Sequence, residues 1–266
     1  MKFKESALKT PILSAIAYSL FFVALFSLPN IGVFSSDNAK FFAEIACRTV
    51  AIVLALIVAK LCGFNIFSFK KIRSYDLILL FLGFLVCVNN FPIIGYITKN
   101  VTLTDNPKIA LYTFRCLFIG VSEETVFRAF ILPLVAEKFK GEEKITFKAV
   151  LISSAIFSAC HIFNVFGSGI GATLLQVGYT FLTGGLFGIA YVITGNFIVP
   201  SILHFIFDIG GLAFLGTFHI FVGNMWDIYT IIITAVLGIF VTAAYLIRIL
   251  GYNKVKQEGE KAEGQK

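Results

Sequence analysis

The apolar positions of this chain fall in long, nearly unbroken runs, near residues 11–28, 42–66, 76–98, 109–136, 148–166, 171–194, 196–217 and 228–250, with short polar stretches between them. A run of about 20 apolar residues is what one helical crossing of a bilayer requires, and a helix satisfies its own backbone there. The pattern predicts an all-α fold, a polytopic membrane helix bundle of about eight transmembrane helices. Residues 1–250 are expected to form a single integral membrane domain. The stretch 251–266 is polar, mixed in charge and nearly free of aromatics, and is expected to be a short disordered cytoplasmic tail. Lys2, Lys4 and Lys9 precede the first run as in a signal peptide, yet no small-residue cleavage motif follows, so the first helix is expected to be retained.

Composition agrees and excludes a water-soluble globule. Hydrophobic residues make up 58% of the 266 positions and charged residues 14%, against about 45–50% and about 25% in soluble domains. The formal net charge of +7 reads as topology rather than as a nucleic-acid surface. With the N-terminus in the cytoplasm, the inner segments hold Lys2, Lys4, Lys9, Lys60, Lys70, Lys71, Arg73, Lys138, Lys140, Lys144, Lys148, Arg248 and the lysines of the tail; the outer ones hold only Lys40, Lys99 and Lys108. This bias predicts a multi-pass protein of the cell membrane with both termini cytoplasmic and an even number of spans. Cys47, Cys62, Cys87, Cys116 and Cys160 lie scattered in apolar stretches without CxxC spacing, which indicates neither a disulfide framework nor a zinc knuckle. Gly184-x-x-x-Gly188 reads as a device for close helix packing.

Against this apolar background, ionisable residues inside spans are costly and mark function. They concentrate in three runs: Ser122-Glu123-Glu124-Thr125-Val126-Phe127-Arg128 in the fourth, Phe157-Ser158-Ala159-Cys160-His161 in the fifth, and His204-Phe205-Ile206-Phe207-Asp208 in the seventh. Residues four apart share a helical face. Glu124 can therefore pair with Arg128, and His204 with Asp208. Glu123 projects from another face without an intrahelical counter-ion and is the better candidate for a general base. Counted from the proposed inner ends at about 1.5 Å per residue, Glu123, His161 and His204 lie roughly 20, 18 and 12 Å deep, so three helices can converge on one polar site. Any one of these groups alone could equally be an interhelical hydrogen bond; the set at similar depth points to chemistry. His219, in a short outer loop near Asp227, is expected to have no catalytic role.

Glu123-Glu124-x-x-x-Arg128, Phe157-x-x-x-His161 and His204-x-x-x-Asp208, in this order on separate apolar helices, resemble the CPBP intramembrane proteases, the family of type II CAAX prenyl endopeptidases and bacterial Abi proteins of bacteriocin processing and self-immunity. The resemblance covers roughly residues 115–215, within an expected catalytic core of about 109–217; the first three spans offer no motif. It implies that Glu123 and His161 bind and activate water, that His204 and Asp208 stabilise an oxyanion, and that Glu124 and Arg128 support the site. The better-studied prenyl endopeptidases carry Asn where this chain has Asp208. An ionised Asp would repel an oxyanion, so either Asp208 is protonated or it holds His204 as imidazolium and the histidine alone donates; the second is preferred.

The implied reaction is hydrolysis of a peptide bond in a membrane-associated or lipid-anchored peptide or protein, either CAAX-type processing or bacteriocin processing and immunity. Its partners are the lipid bilayer and that substrate, with no nucleic acid. No cofactor is required. A divalent metal such as zinc stays open, with His161, His204 and Glu123 as its ligands, although no HExxH is present. Ser122 after Gly120 is a poor match to a GxS nucleophile, Cys160 and His161 do not face each other on a helix, and a GxGD motif is absent. A non-enzymatic immunity protein or a proton-coupled transporter is the alternative from another class.

Overall fold

The computed structural model describes residues 2–31, 34, 36–104, 108–211, 221–223 and 228–263. Helix follows helix: α1 (Lys2–Lys9), α2 (Pro11–Ser27), α3 (Asp37–Cys62), α4 (Ser74–Asn89), α5 (Ile93–Ile97), α6 (Ile109–Glu124), α7 (Leu132–Lys138), α8 (Ile145–Cys160), α9 (Val165–Ser168), α10 (Ile170–Thr194), α11 (Ile198–Gly211) and α12 (Ile228–Glu263). A π-helical segment, Thr125–Ile131, joins α6 to α7, and a 3-10 turn, His161–Asn164, joins α8 to α9. Among the described residues the only ladder is two three-residue strands, β1 (Val101–Leu103) and β2 (Phe221–Gly223), paired antiparallel.

Among the described residues five helical stretches are long and apolar enough to cross a membrane: Pro11–Asn30, Asp37–Cys62, Ile145–Ser168, Ile170–Thr194 and Ile228–Gly251. Ser74–Asn89 and Ile198–Gly211 are shorter apolar helices. The fourth expected span is helical throughout 109–138, with the π segment set between α6 and α7. The cause is visible in the sequence, because Pro133 has no N–H to offer the Ala129 carbonyl and its ring crowds that carbonyl. The widened turn lies on the N-terminal side of the proline, and all seven of its residues are buried. The seventh run ends as helix at Gly211, and 212–220 lies outside the described residues. At the C-terminus, α12 continues over 251–263 where a disordered tail was expected; the Lys, Glu, Gln and Ala of that stretch are good helix formers.

The exterior is apolar. Leu13, Val53, Ile57, Leu61, Phe81, Leu174, Leu175, Ile239 and Ile247 are exposed, while Arg48, Asp76, Glu124, Arg128, His204 and Asp208 are buried. This inversion suits a lipid environment, in which charged groups turn to the bundle interior, and the chain is a multi-pass membrane protein. Two apolar cores flank the π segment. One joins α2, α3, α7 and α8 through Phe22, Ala55, Phe130, Leu134 and Ala149; the other joins α4, α8, α10, α11 and α12 through Leu79, Val150, Phe187, Leu203 and Tyr245.

Loop contacts sort the polar connections into two ends. Phe67 bridges to Asn196, and the backbone N–H of Lys70 donates to the Thr194 carbonyl at 3.0 Å, so the α3–α4 loop sits on the α10–α11 turn. Gly195 makes that turn with φ +77, and a Cβ there would stand 2.7 Å from the Ser68 carbonyl oxygen. The α4–α6 connection meets the α11–α12 connection at the opposite end, through β1 and β2. This is the alternation that the basic residues of the sequence imply: Lys70, Lys71 and Arg73 lie at the first end and Lys99 at the second.

Candidate active site

Glu123 and Glu124 close α6 near the middle of the 109–138 stretch. They face α11, which packs so tightly on α6 that a Cβ on Gly120 would stand 2.9 Å from the Phe205 backbone nitrogen and 3.0 Å from the Ser201 carbonyl oxygen. Glycine is required at that crossing by space. The far end of α11 is anchored as well. The Tyr112 hydroxyl donates to the Ile209 carbonyl at 2.6 Å, and the Asn90 amide donates to the Phe207 carbonyl at 2.7 Å.

Within this frame Glu124 serves two partners. Its Oε1 accepts from His204 Nδ1 at 2.8 Å, and its Oε2 lies 3.0 Å from Arg128 Nε, a charge contact without hydrogen-bond alignment. Arg128 is itself buried, donates through Nη2 to the Gly184 carbonyl at 3.1 Å, and lies over the Phe157 ring at 4.7 Å. The sequence pairing of Glu124 with Arg128 is present; its pairing of Asp208 with His204 is looser. Asp208 Oδ1 is 3.6 Å from His204 Nε2, beyond hydrogen-bond distance, and Asp208 Oδ2 is buried without a hydrogen-bond partner. The group that orients the imidazole is therefore Glu124, across the α6–α11 interface. The His204 ring stacks on Phe187, with centroids 4.9 Å apart.

Glu123 keeps 14% of its side chain exposed, whereas Glu124 is sealed. Its Oε2 stands 3.9 Å from His204 Nε2. Its Oε1 faces a cation that sequence reasoning passed over, Arg48 of α3, whose Nη1 is 3.5 Å away and donates to the neighbouring Ser122 hydroxyl at 3.0 Å. Glu44, one turn earlier on α3, accepts from Arg48 Nε at 3.3 Å and from Arg115 Nε of α6 at 2.9 Å. Glu123 thus lacks a counter-ion on its own helix but has one across helices. The signal was a Glu-x-x-x-Arg spacing inside an apolar run.

His161 begins the 3-10 turn after α8. Its backbone N–H turns to the Ala159 and Ser158 carbonyls, and its Nδ1 takes the Phe157 carbonyl at 2.9 Å. A carbonyl only accepts, so Nδ1 carries the proton and Nε2 of the neutral ring is the acceptor. His161 is half-buried and interacts electrostatically with Glu123, with no hydrogen bond between them. Phe157 lies between the two histidines, edge-on to His161 and to His204. His219 and Asp227 lie outside the described residues.

Among the described residues no three His, Cys, Asp or Glu side chains are grouped to hold a metal ion. The trio His161, His204 and Glu123 forms no such group: each histidine engages its Nδ1 and leaves Nε2 over, but the Phe157 ring packs against both imidazoles and the three side chains are not gathered around one point. All five cysteines are free thiols, with Cys62, Cys87 and Cys116 buried as small hydrophobes. The Ser122 hydroxyl is fully buried, donating to the Ile119 carbonyl and accepting from Arg48, which leaves it no role as a nucleophile.

No curated protein and no solved structure matches the chain. Residues 105–210 match the family model for the type II CAAX prenyl endopeptidase Rce1-like proteins. That stretch carries Glu123, Glu124, Arg128, His161, His204 and Asp208, so the resemblance drawn from the ordered motifs is borne out: over 105–210 the chain is similar to the Rce1-like family.

Proposed function

We propose that the chain is an intramembrane endopeptidase of the CAAX type, hydrolysing a peptide bond in a membrane-associated or lipid-anchored peptide with water activated by Glu123 and His161. The observation that carries this reading is the pairing of a partly exposed carboxylate, Glu123, with an imidazole, His204, held by a sealed carboxylate on the facing helix.

In this scheme water sits between Glu123 and the acceptor Nε2 of His161. Its oxygen attacks the scissile carbonyl carbon while its proton passes to Glu123. The oxyanion that forms accepts from His204 Nε2. Because Nδ1 is already engaged with Glu124, donation from Nε2 as well requires the imidazolium form, which Glu124 at 2.8 Å and Asp208 at 3.6 Å both favour. The tetrahedral centre then collapses, the C–N bond breaks, and the proton on Glu123 is delivered to the leaving amine. The enzyme returns to its starting state without a covalent intermediate, and no step runs through a metal.

The purified protein in lipid nanodiscs, incubated with membrane-anchored peptides that carry or lack a prenylated C-terminal cysteine, tests the reading. Cleavage by the native chain is expected, persisting after exhaustive chelation, and Glu123→Gln is expected to lower it by roughly 10²-fold or more. Full activity in Glu123→Gln sinks the mechanism. Proton-coupled transport or tight peptide binding with no product from any peptide favours the non-enzymatic alternative.

A further inference from the structure

Arg48 lies on α3, outside the matched stretch 105–210 and separated from it by α4 and α5. A guanidinium in the middle of a 26-residue apolar helix is expensive, and this one is 8% exposed. Its contacts are directional. Nε is held by Glu44, the cation lies 4.8 Å from the centroid of the Phe26 ring of α2, and Nη1 is aimed at two consecutive residues of α6, Ser122 and Glu123. Packing α3 against α6 does not by itself need this, because Glu44 and Arg115 already join the two helices at 2.9 Å.

What Arg48 adds is a claim on one oxygen of the general base. Glu123 Oε1 is turned toward Arg48 and Oε2 toward His204. The 3.9 Å gap between Oε2 and Nε2 is short for two groups of opposite charge, which attract each other across it. Closure would tighten this long ion pair into a direct Glu123–His204 hydrogen bond, using up the base and the oxyanion donor together. We infer that Arg48 is a positioning residue for the hydrolytic step, drawing Glu123 away from His204 so that water and substrate can enter between them, with Glu44 and Phe26 fixing Arg48 in turn. The inference rests on the proposed hydrolytic function.

The test is steady-state cleavage of a membrane-anchored peptide by Arg48→Met, Arg48→Lys and Glu123→Gln in nanodiscs, with thermal melts of each. Expected are a kcat about 10- to 100-fold lower in Arg48→Met, the scale of a small misplacement at a reacting centre, a KM within about threefold, and partial recovery of kcat in Arg48→Lys, which restores the charge without the fork. Arg48→Met with kcat within about twofold of native, alongside an inactive Glu123→Gln, overturns the inference and leaves the hydrolytic reading standing. So does a loss that follows the melting temperature with Lys no better than Met, which marks a structural role. Native activity in Glu123→Gln is the separate failure, that of the mechanism itself.

Discussion

Glu124 and Asp208 are both carboxylates near His204, yet they are placed to do different work. Glu124 is sealed between a guanidinium and an imidazole, and removing its charge leaves Arg128 buried without its counter-ion. Breaking a buried pair on one side costs about 3–5 kcal/mol. Glu124→Gln is therefore expected to lower the melting temperature sharply and to lose cleavage as well, read by thermal denaturation in detergent and by peptide assay. Asp208 makes no hydrogen bond to His204, and an amide of the same shape fits its place. Asp208→Asn is expected to keep kcat within about tenfold of native, a modest loss for a group that acts at a distance; a larger loss would mean that its charge is needed on the imidazolium. The pairing of Glu124 with Arg128 was legible because it follows from helical spacing alone. Its bond to His204 was not, since which of two nearby carboxylates claims an imidazole is decided by the angle at which two helices meet.

At the level of elements, the site depends on how closely α6 and α11 approach. Gly120 has backbone of α11 on the side where a Cβ would go, and backbone cannot move aside as a flexible side chain can. Gly120→Ala is expected to destabilise by about 1–3 kcal/mol, the usual cost of overpacking, and Gly120→Val to part His204 from Glu124 and abolish cleavage with the protein still in the membrane. Peptide turnover and protease resistance of the purified variants check this. The apolar runs made most helices readable, down to a few residues at their ends. The π segment was not, because apolar periodicity carries no mark of a widened turn; Pro133 was the one local clue. Nor did α3 stand out as part of the site. Its Glu44 and Arg48 lie far from the ordered motifs in sequence, and only the folded bundle sets them beside Ser122 and Glu123.

For the molecule as a whole, the loop contacts make a prediction independent of chemistry. In a chain with its native cysteines replaced, single cysteines at positions 71 and 141 should react with a membrane-impermeant thiol reagent from one face, and one at position 99 from the other; labelling of all three from the same face would contradict the alternation. A last consequence concerns the cluster between α3, α6 and α11. Among the described residues Glu44, Glu123, Glu124 and Asp208 face Arg48, Arg115 and Arg128, and a protonated His204 makes the set electrically neutral. In the proposed cycle, Glu123 loses its charge as it takes the proton from water, at the moment when the oxyanion gains one. The reaction then moves a single negative charge a few ångströms inside a neutral enclosure and adds none to it. A bilayer interior, which resists the creation of charge, presents little resistance to its displacement, and that makes such a place suited to hydrolysis.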